Sequence, residues 1–163
     1  MENLAPPPCN IVVAGLGGQG VLTATDIIAD VALRAGFDVK KSEIKGMSQR
    51  GGSVTCDVRF GAQVHSPMVP EGEADFLVVI AADQVPLNTW VLRPGGVLIE
   101  ASQIDESSLP NKRSINVALL GMLSRHLQFS VEAWTAAIGR NLPEKLHEAN
   151  LRAFSMGRAI EQK

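Results

Sequence analysis

The residues of this chain best suited to chemistry form a glycine loop, Gly15-Leu16-Gly17-Gly18-Gln19-Gly20, between the apolar run Asn10 to Ala14 and a helical pattern that opens at Val21. Glycines there permit a tight turn and close backbone approach. The helix start behind them offers unpaired amides and a positive dipole end to an anion such as pyrophosphate. Gly15, Gly17 and Gly20 have the G-x-G-x-x-G spacing. A dinucleotide site also needs an acid about 20 residues on, at the end of the second strand, to hold a ribose. That neighbourhood reads Lys40-Lys41-Ser42-Glu43, with Glu43 late and next to lysines. The spacing alone therefore leaves nicotinamide binding, another anion, and plain helix-on-sheet packing all open.

A second glycine segment, Lys45-Gly46-Met47-Ser48-Gln49-Arg50-Gly51-Gly52-Ser53, is too rich in glycine for regular structure. Lys45 and Arg50 could grip a phosphate or carboxylate, Arg through its planar fork. A surface loop closing a subunit contact accounts for the same composition. Elsewhere the chemistry is thin. His65, His126 and His147 have no ligand spacing, so no metal site is expected. Cys9 and Cys56 are too few for a Cys₄ cluster or structural zinc site, and Cys56 reads as a buried free thiol. Asp83 stands either at a strand's carboxyl end, where open α/β sheets bind ligands, or as a helix cap.

The elements that must position these residues alternate between strand and helix. Val21, Ala24, Ile28, Val31 and Ala35 recur at three and four, with Asp26, Asp30 and Arg34 as a polar stripe and Gly36 as the C-cap glycine. Strands are expected at 10–14, 37–40, 54–60, 75–81 and 96–100. Gly61-Ala62 can turn the third into a short partner at 63–65. Helical stretches follow at 86–92, closed by Arg93-Pro94-Gly95, and at 114–127, 131–139 and 143–160. The pattern implies an α/β fold of three layers, a largely parallel sheet with helices on both faces, and room for an antiparallel extension through 54–65. Residues 1–9 read as a flexible arm ahead of a single domain, 10–163.

The bulk properties exclude several function classes. In 163 residues, 45% are apolar and 20% charged, the profile of a folded globular domain. A net charge of −2 and 4% aromatics leave neither the basic surface nor the stacking platforms of a nucleic-acid binder. No segment approaches a membrane span, and the proline-containing arm lacks a signal-peptide core, so a cytoplasmic location is expected.

Taken together, the motifs resemble a known family. The glycine loop, the run Lys45 to Val54, Val58-Arg59-Phe60-Gly61 with Ser66-Pro67, and Gly72-Glu73-Ala74-Asp75 stand in the order found in gamma subunits of 2-oxoacid:ferredoxin oxidoreductases, the enzymes of pyruvate, 2-oxoisovalerate, 2-oxoglutarate and indolepyruvate. Asn116-Val117-Ala118-Leu119-Leu120-Gly121, Glu148-Ala149-Asn150, Ala153-Phe154 and Gly157 look like that family's C-terminal half. The resemblance covers about residues 10–159. It implies an accessory subunit of a complex that oxidatively decarboxylates a 2-oxoacid to an acyl-CoA. Thiamine diphosphate and iron–sulfur clusters would sit on partner alpha, beta or delta subunits, and ferredoxin or a similar acceptor would take the electrons. It also implies that Gly17, Gly18, Gln19 and Gly20 face coenzyme A, with Lys45 and Arg50 as further contacts. Two other functions remain consistent with the residues: a free-standing dinucleotide-binding oxidoreductase, and a scaffold whose glycines only pack against partners. The accessory reading predicts that the purified chain is colourless and does not oxidise 2-oxoacids. A visible cofactor band after anaerobic reconstitution, or turnover by this chain alone, would end it.

Overall fold

A computed structural model describes residues 5–45 and 51–162. Five strands, β1 (Cys9–Leu16), β2 (Asp38–Lys45), β3 (Ser53–Gly61), β4 (Ala74–Val79) and β5 (Leu92–Glu100), form one sheet in the order β2-β3-β1-β4-β5. β1, β4 and β5 are mutually parallel; β3 runs antiparallel to both β1 and β2. Four strands thus point the same way and only β3 opposes them. The antiparallel extension exists, and it takes in β2 as well as β3. β1 begins at Cys9, opposite Phe60, so the ninth residue belongs to the sheet rather than to the arm.

β1 is buried on both faces, the usual state of a central parallel strand. Ile11 and Val13 enter one core, Val12 and Ala14 the other. The larger core is closed by α1 (Val21–Arg34), α3 (Ile115–Ser124), α4 (Val131–Asn141) and α5 (His147–Ala159). The opposite face is covered more thinly. There α2 (Val85–Asn88), flanked by 3₁₀ turns, and the loop after β3 supply Val85, Val91 and Val69 over Leu77 and Val79. The helix that periodicity suggests over 86–92 is therefore only a few residues long. α1 ends as Gly36 predicts: Gly36 N donates to Leu33 O and Phe37 N to Ala32 O, a Schellman close with Gly36 at φ 93°.

Two local expectations fail for identifiable reasons. No partner strand forms at 63–65. Side chains take over instead: Asp38 Oδ2 accepts from Val64 N and Asp57 Oδ2 from Val69 N, each at 2.8 Å. Arg59 holds the Ser66 and Met68 carbonyls with Nη1 and Asn10 Oδ1 with Nε. The loop is thereby folded back onto the sheet, which gives the Val58–Gly61 and Ser66-Pro67 motifs a shared physical purpose. Burial pushes the Asp57 carboxyl up, opposed by the Val69 amide and Arg59. Arg93 to Gly95, expected to close a helix, lies inside β5. Arg93 Nε reaches Asp75 Oδ1 at 2.6 Å beside the register shift between Ala74 and Phe76.

All ten residues of α3 are buried, and α5 is its largest helical neighbour. The two helices meet through glycine. A Cβ on Gly157 would lie 1.8 Å from Ala118 O, and one on Gly121 2.2 Å from Phe154 O. Both obstacles are backbone, so neither can yield by a rotamer change. Gly157→Ala must push α5 off α3 and is expected to destabilise the chain by roughly 3 kcal/mol or more, read by denaturant unfolding. A loss under about 1 kcal/mol would show that the helices are not in backbone contact.

Candidate functional site

The glycine loop leaves β1 and is closed by its own glutamine. Gln19 Oε1 accepts from Leu16 N at 2.7 Å, and Gln19 N donates to Leu16 O at 3.1 Å. Gly20 is the N-cap of α1 in the left-handed region, φ 80°, and no side chain caps the helix. Its carbonyl accepts twice, from Ala24 N at 3.0 Å and from Asn116 Nδ2 at 3.1 Å. Asn116, only 6% exposed, also receives Val117 N on its Oδ1, so both ends of its amide are fixed. The start of α3 is thereby tied to the start of α1.

Between those two helix starts lies a cleft of ≈ 550 Å³, within the usual range of small-molecule sites, about 300–1,000 Å³. Gly18, Gln19, Gly20 and Thr23 form one wall. Lys112, Arg113, Ser114 and Asn116 form the other, with Leu142, Leu146 and Asn150 below. The second wall is a rigid turn: Asn111 Oδ1 accepts from Arg113 N at 2.9 Å, and Ser114 N donates to Asn111 O at 2.9 Å. Neither α1 nor α3 has an acid in its first turn. Such an arrangement favours an anion at the start of α1, whose first amides lack intrahelical acceptors; at α3 the Ile115 amide already bonds Lys112 O and the Val117 amide bonds Asn116 Oδ1.

The residues singled out from sequence divide accordingly. Gly18, Gln19 and Gly20 meet in the cleft. Gly17 is engaged elsewhere, its amide donating to Gly52 O at 2.8 Å. Lys45 ends β2 opposite Val54, and Arg50 lies outside the described residues. Lys112 and Arg113 were missed, although Asn111-Lys112-Arg113-Ser114 carried a signal. Two cations at the start of an apolar helix run against the dipole preference and invite a search for an anion.

Sheet order also decides how Glu43 relates to the loop. β3 stands between β1 and β2, so Glu43 is two strand spacings, about 10 Å, from β1. Through Cys56 it aligns with Val13, inside the sheet and not at the loop's level. A ribose-binding acid has no place there. The two cysteines are both free. Register puts Cys9 opposite Phe60 and Cys56 opposite Val13, an offset of four residues or about 13 Å, beyond disulfide reach. Burial pushes the Cys9 thiol up to about 12, with the Asp75 charge adding and Arg93 opposing. His147 Nε2 meets Leu142 O, His126 stacks near Phe76 and bonds Gln162, and Asp83 is exposed in a 3₁₀ turn. Among the described residues no cluster of three or more His, Cys, Asp or Glu could hold a metal, and no helix is long and apolar enough to cross a membrane.

Comparison with known proteins gives this site its family. Residues 10–110 and 97–160 match the family described as pyruvate ferredoxin/flavodoxin oxidoreductase. The chain belongs to that family. Among its relatives is indolepyruvate oxidoreductase subunit IorB of Thermococcus kodakarensis, 34% identical over 91% of this chain and 93% of the relative. The fold is that of the keto/oxoacid ferredoxin oxidoreductase gamma subunit from Geobacter sulfurreducens, TM-score 0.78 at 22% identity, covering 95% of this chain and 97% of that one. It also resembles part of a 2-oxoglutarate:ferredoxin oxidoreductase from Magnetococcus marinus, TM-score 0.80 at 21% identity, covering 95% of this chain but 31% of the other. The chain thus has the fold of a gamma subunit, and its curated relatives are named as oxidoreductase subunits.

The geometry of the cleft predicts different costs for its two left-handed glycines. A Cβ on Gly18 meets nothing within 4 Å, whereas one on Gly20 would lie 2.4 Å from Asn116 Nδ2. Gly18→Ala should cost only the dihedral strain, about 1 kcal/mol. Gly20→Ala should cost roughly 2–4 kcal/mol, because it also displaces Asn116. Urea unfolding of the two variants measures the difference; equal losses would mean that Asn116 does not brace the loop.

Proposed function

We propose that this gamma-type subunit turns its glycine-loop cleft toward coenzyme A in an assembled, thiamine-dependent 2-oxoacid:ferredoxin oxidoreductase that converts a 2-oxoacid to an acyl-CoA. The observation that carries this reading is Gly18. It lies on the cleft wall at φ 88°, ahead of the uncapped start of α1, and the space where its Cβ would stand is open. A backbone in that state lets an anion approach the helix start without a side chain in the way. Gln19 adds a donor: its Oε1 holds Leu16 N, and among the described residues no hydrogen bond engages its Nε2. The similar Magnetococcus structure contains coenzyme A and succinyl-CoA, which fits this use of the fold.

Coenzyme A supplies the thiol that accepts the acyl group. What this chain contributes is binding, orientation and exclusion of water, through fixed amides and a braced loop. Thiamine diphosphate and the iron–sulfur clusters belong, in this reading, to alpha, beta or delta partners, with ferredoxin or a similar acceptor beyond them. A scaffold role has one observation in its favour: Gly17 already packs on Gly51 and Gly52, so part of the loop serves internal contact.

Gly18→Ala in the assembled complex separates the two. Under the coenzyme reading the KM for coenzyme A rises about tenfold, the factor that ~1.4 kcal/mol represents, while the KM for the 2-oxoacid and the yield of complex stay near wild type. Weakened co-purification with an unchanged coenzyme A constant would favour the scaffold. An unchanged constant in a normally assembled complex removes the loop from the coenzyme site.

A further inference from the structure

The glycine loop occupies one wall of the cleft, and the opposite wall carries charge that the proposed role of the loop does not use. Among the cleft-lining residues the positive charges are Lys112 and Arg113, and the negative one is Glu106. Lys112 and Arg113 are exposed, and no ion pair among the described residues involves either. Their backbone is nonetheless held fast. Asn111 accepts from Arg113 N, and Ser114, 1% exposed, bonds Asn111 O through both its amide and its hydroxyl. Two long cationic side chains on a rigid turn, facing a cavity, can converge on one anionic group. Their position one turn before a helix opposes the macrodipole, so helix stability does not explain them.

Asn150 adds a polar group to the same cleft. It lines the cleft at 8% exposure, and its Nδ2 is engaged by Leu146 O at 2.9 Å. Among the described residues no hydrogen bond engages its Oδ1. Its Oδ1 can accept from a donor of whatever fills the cavity, such as a hydroxyl or amine of a nucleoside.

We infer that Lys112 and Arg113 form a second anion subsite of this cleft, which takes the 3′-phosphate of coenzyme A while the glycine-loop wall takes the diphosphate. The inference rests on the coenzyme reading of the loop. It adds a ligand requirement: two separated phosphate groups, one for each wall. The basic pair is therefore a specificity device, selecting coenzyme A over the same molecule lacking its ribose phosphate.

The test varies coenzyme A and dephospho-coenzyme A in turn, using the assembled complex. Changing Lys112→Gln and Arg113→Gln together should raise the KM for coenzyme A about tenfold to a hundredfold, the range expected for lost charge-assisted hydrogen bonds. The KM for dephospho-coenzyme A should hardly change, so the wild-type preference disappears. The charge-conserving swap Lys112→Arg with Arg113→Lys should keep most of that preference; its loss there too would mean that charge is not what the pair reads. An equal rise for both ligands, or no rise for coenzyme A, overturns the inference. Gly18→Ala run alongside should raise both constants. If it raises both while the basic pair has no effect, only the second subsite is wrong; if it raises neither, the coenzyme reading itself fails.

Discussion

One hydrogen bond, from Asn116 Nδ2 to Gly20 O, fixes the relation between the two halves of the cleft. Gly20 O is already the first acceptor of α1, so the bond attaches α3 to the helix start itself and not to a peripheral turn. It also makes glycine mandatory at position 20, since any Cβ would collide with the Asn116 amide. Asn116 in turn can stay put because α3 is locked from behind. Its backbone touches that of α5 at Gly121 and Gly157, with no side chain between to act as a cushion. Packing of this density transmits displacement instead of absorbing it. A change at Gly157 should therefore be felt at the cleft, although Gly157 is not among the residues that line it.

The antiparallel strand β3 determines what sort of ligand the loop can serve. In a doubly wound dinucleotide fold the second strand lies beside the first and delivers an acid to the ribose. Here β3 is interposed and Gly52, at its start, meets Gly17. The side of the loop that would face a ribose is thus filled by the protein's own backbone. The open side faces α3 instead, and the groups waiting there are cations and amides. A shared glycine spacing therefore leads to a different site, because specificity resides in the neighbouring strand and helix and not in the glycines themselves.

Much of this was legible from the chain, and the misses have physical causes. α1 announced itself by its periodicity and by Gly36, and β4 by an unbroken apolar run, since both are determined by local pattern. The position of β3 between β1 and β2 was not legible, because strand order is set by long-range pairing that leaves no mark on period-two alternation. The expected 63–65 hairpin failed because Asp38, Asp57 and Arg59, which look like ordinary polar positions facing water, act as hydrogen-bond substitutes for a ladder. Within the site, Gly18, Gln19 and Gly20 could be found by motif. Lys112 and Arg113 are more than 90 residues away, and only the fold brings them across the cleft.

That basic pair also shows how stability and binding trade against each other in this chain. Lys112 and Arg113 lie in the 3₁₀ turn just ahead of α3, where cations oppose its dipole, and α3 has no acid in its first turn to offset them. The cost is tolerable because α3 does not depend on its own propensity: every residue in it is buried, and the Asn111 cap holds the turn before it. α1 makes the same bargain in milder form, starting from a left-handed glycine with no side-chain cap. Neither Gly20 nor Ser114, the N-caps of α1 and α3, caps its helix with a side chain, and both helix starts lie on the one cleft they share. An acid at either place would fill the local demand for negative charge. With that demand unmet at the start of α1, and the Lys112–Arg113 pair on the wall across from it, the cleft stays ready for a ligand that brings its own anions.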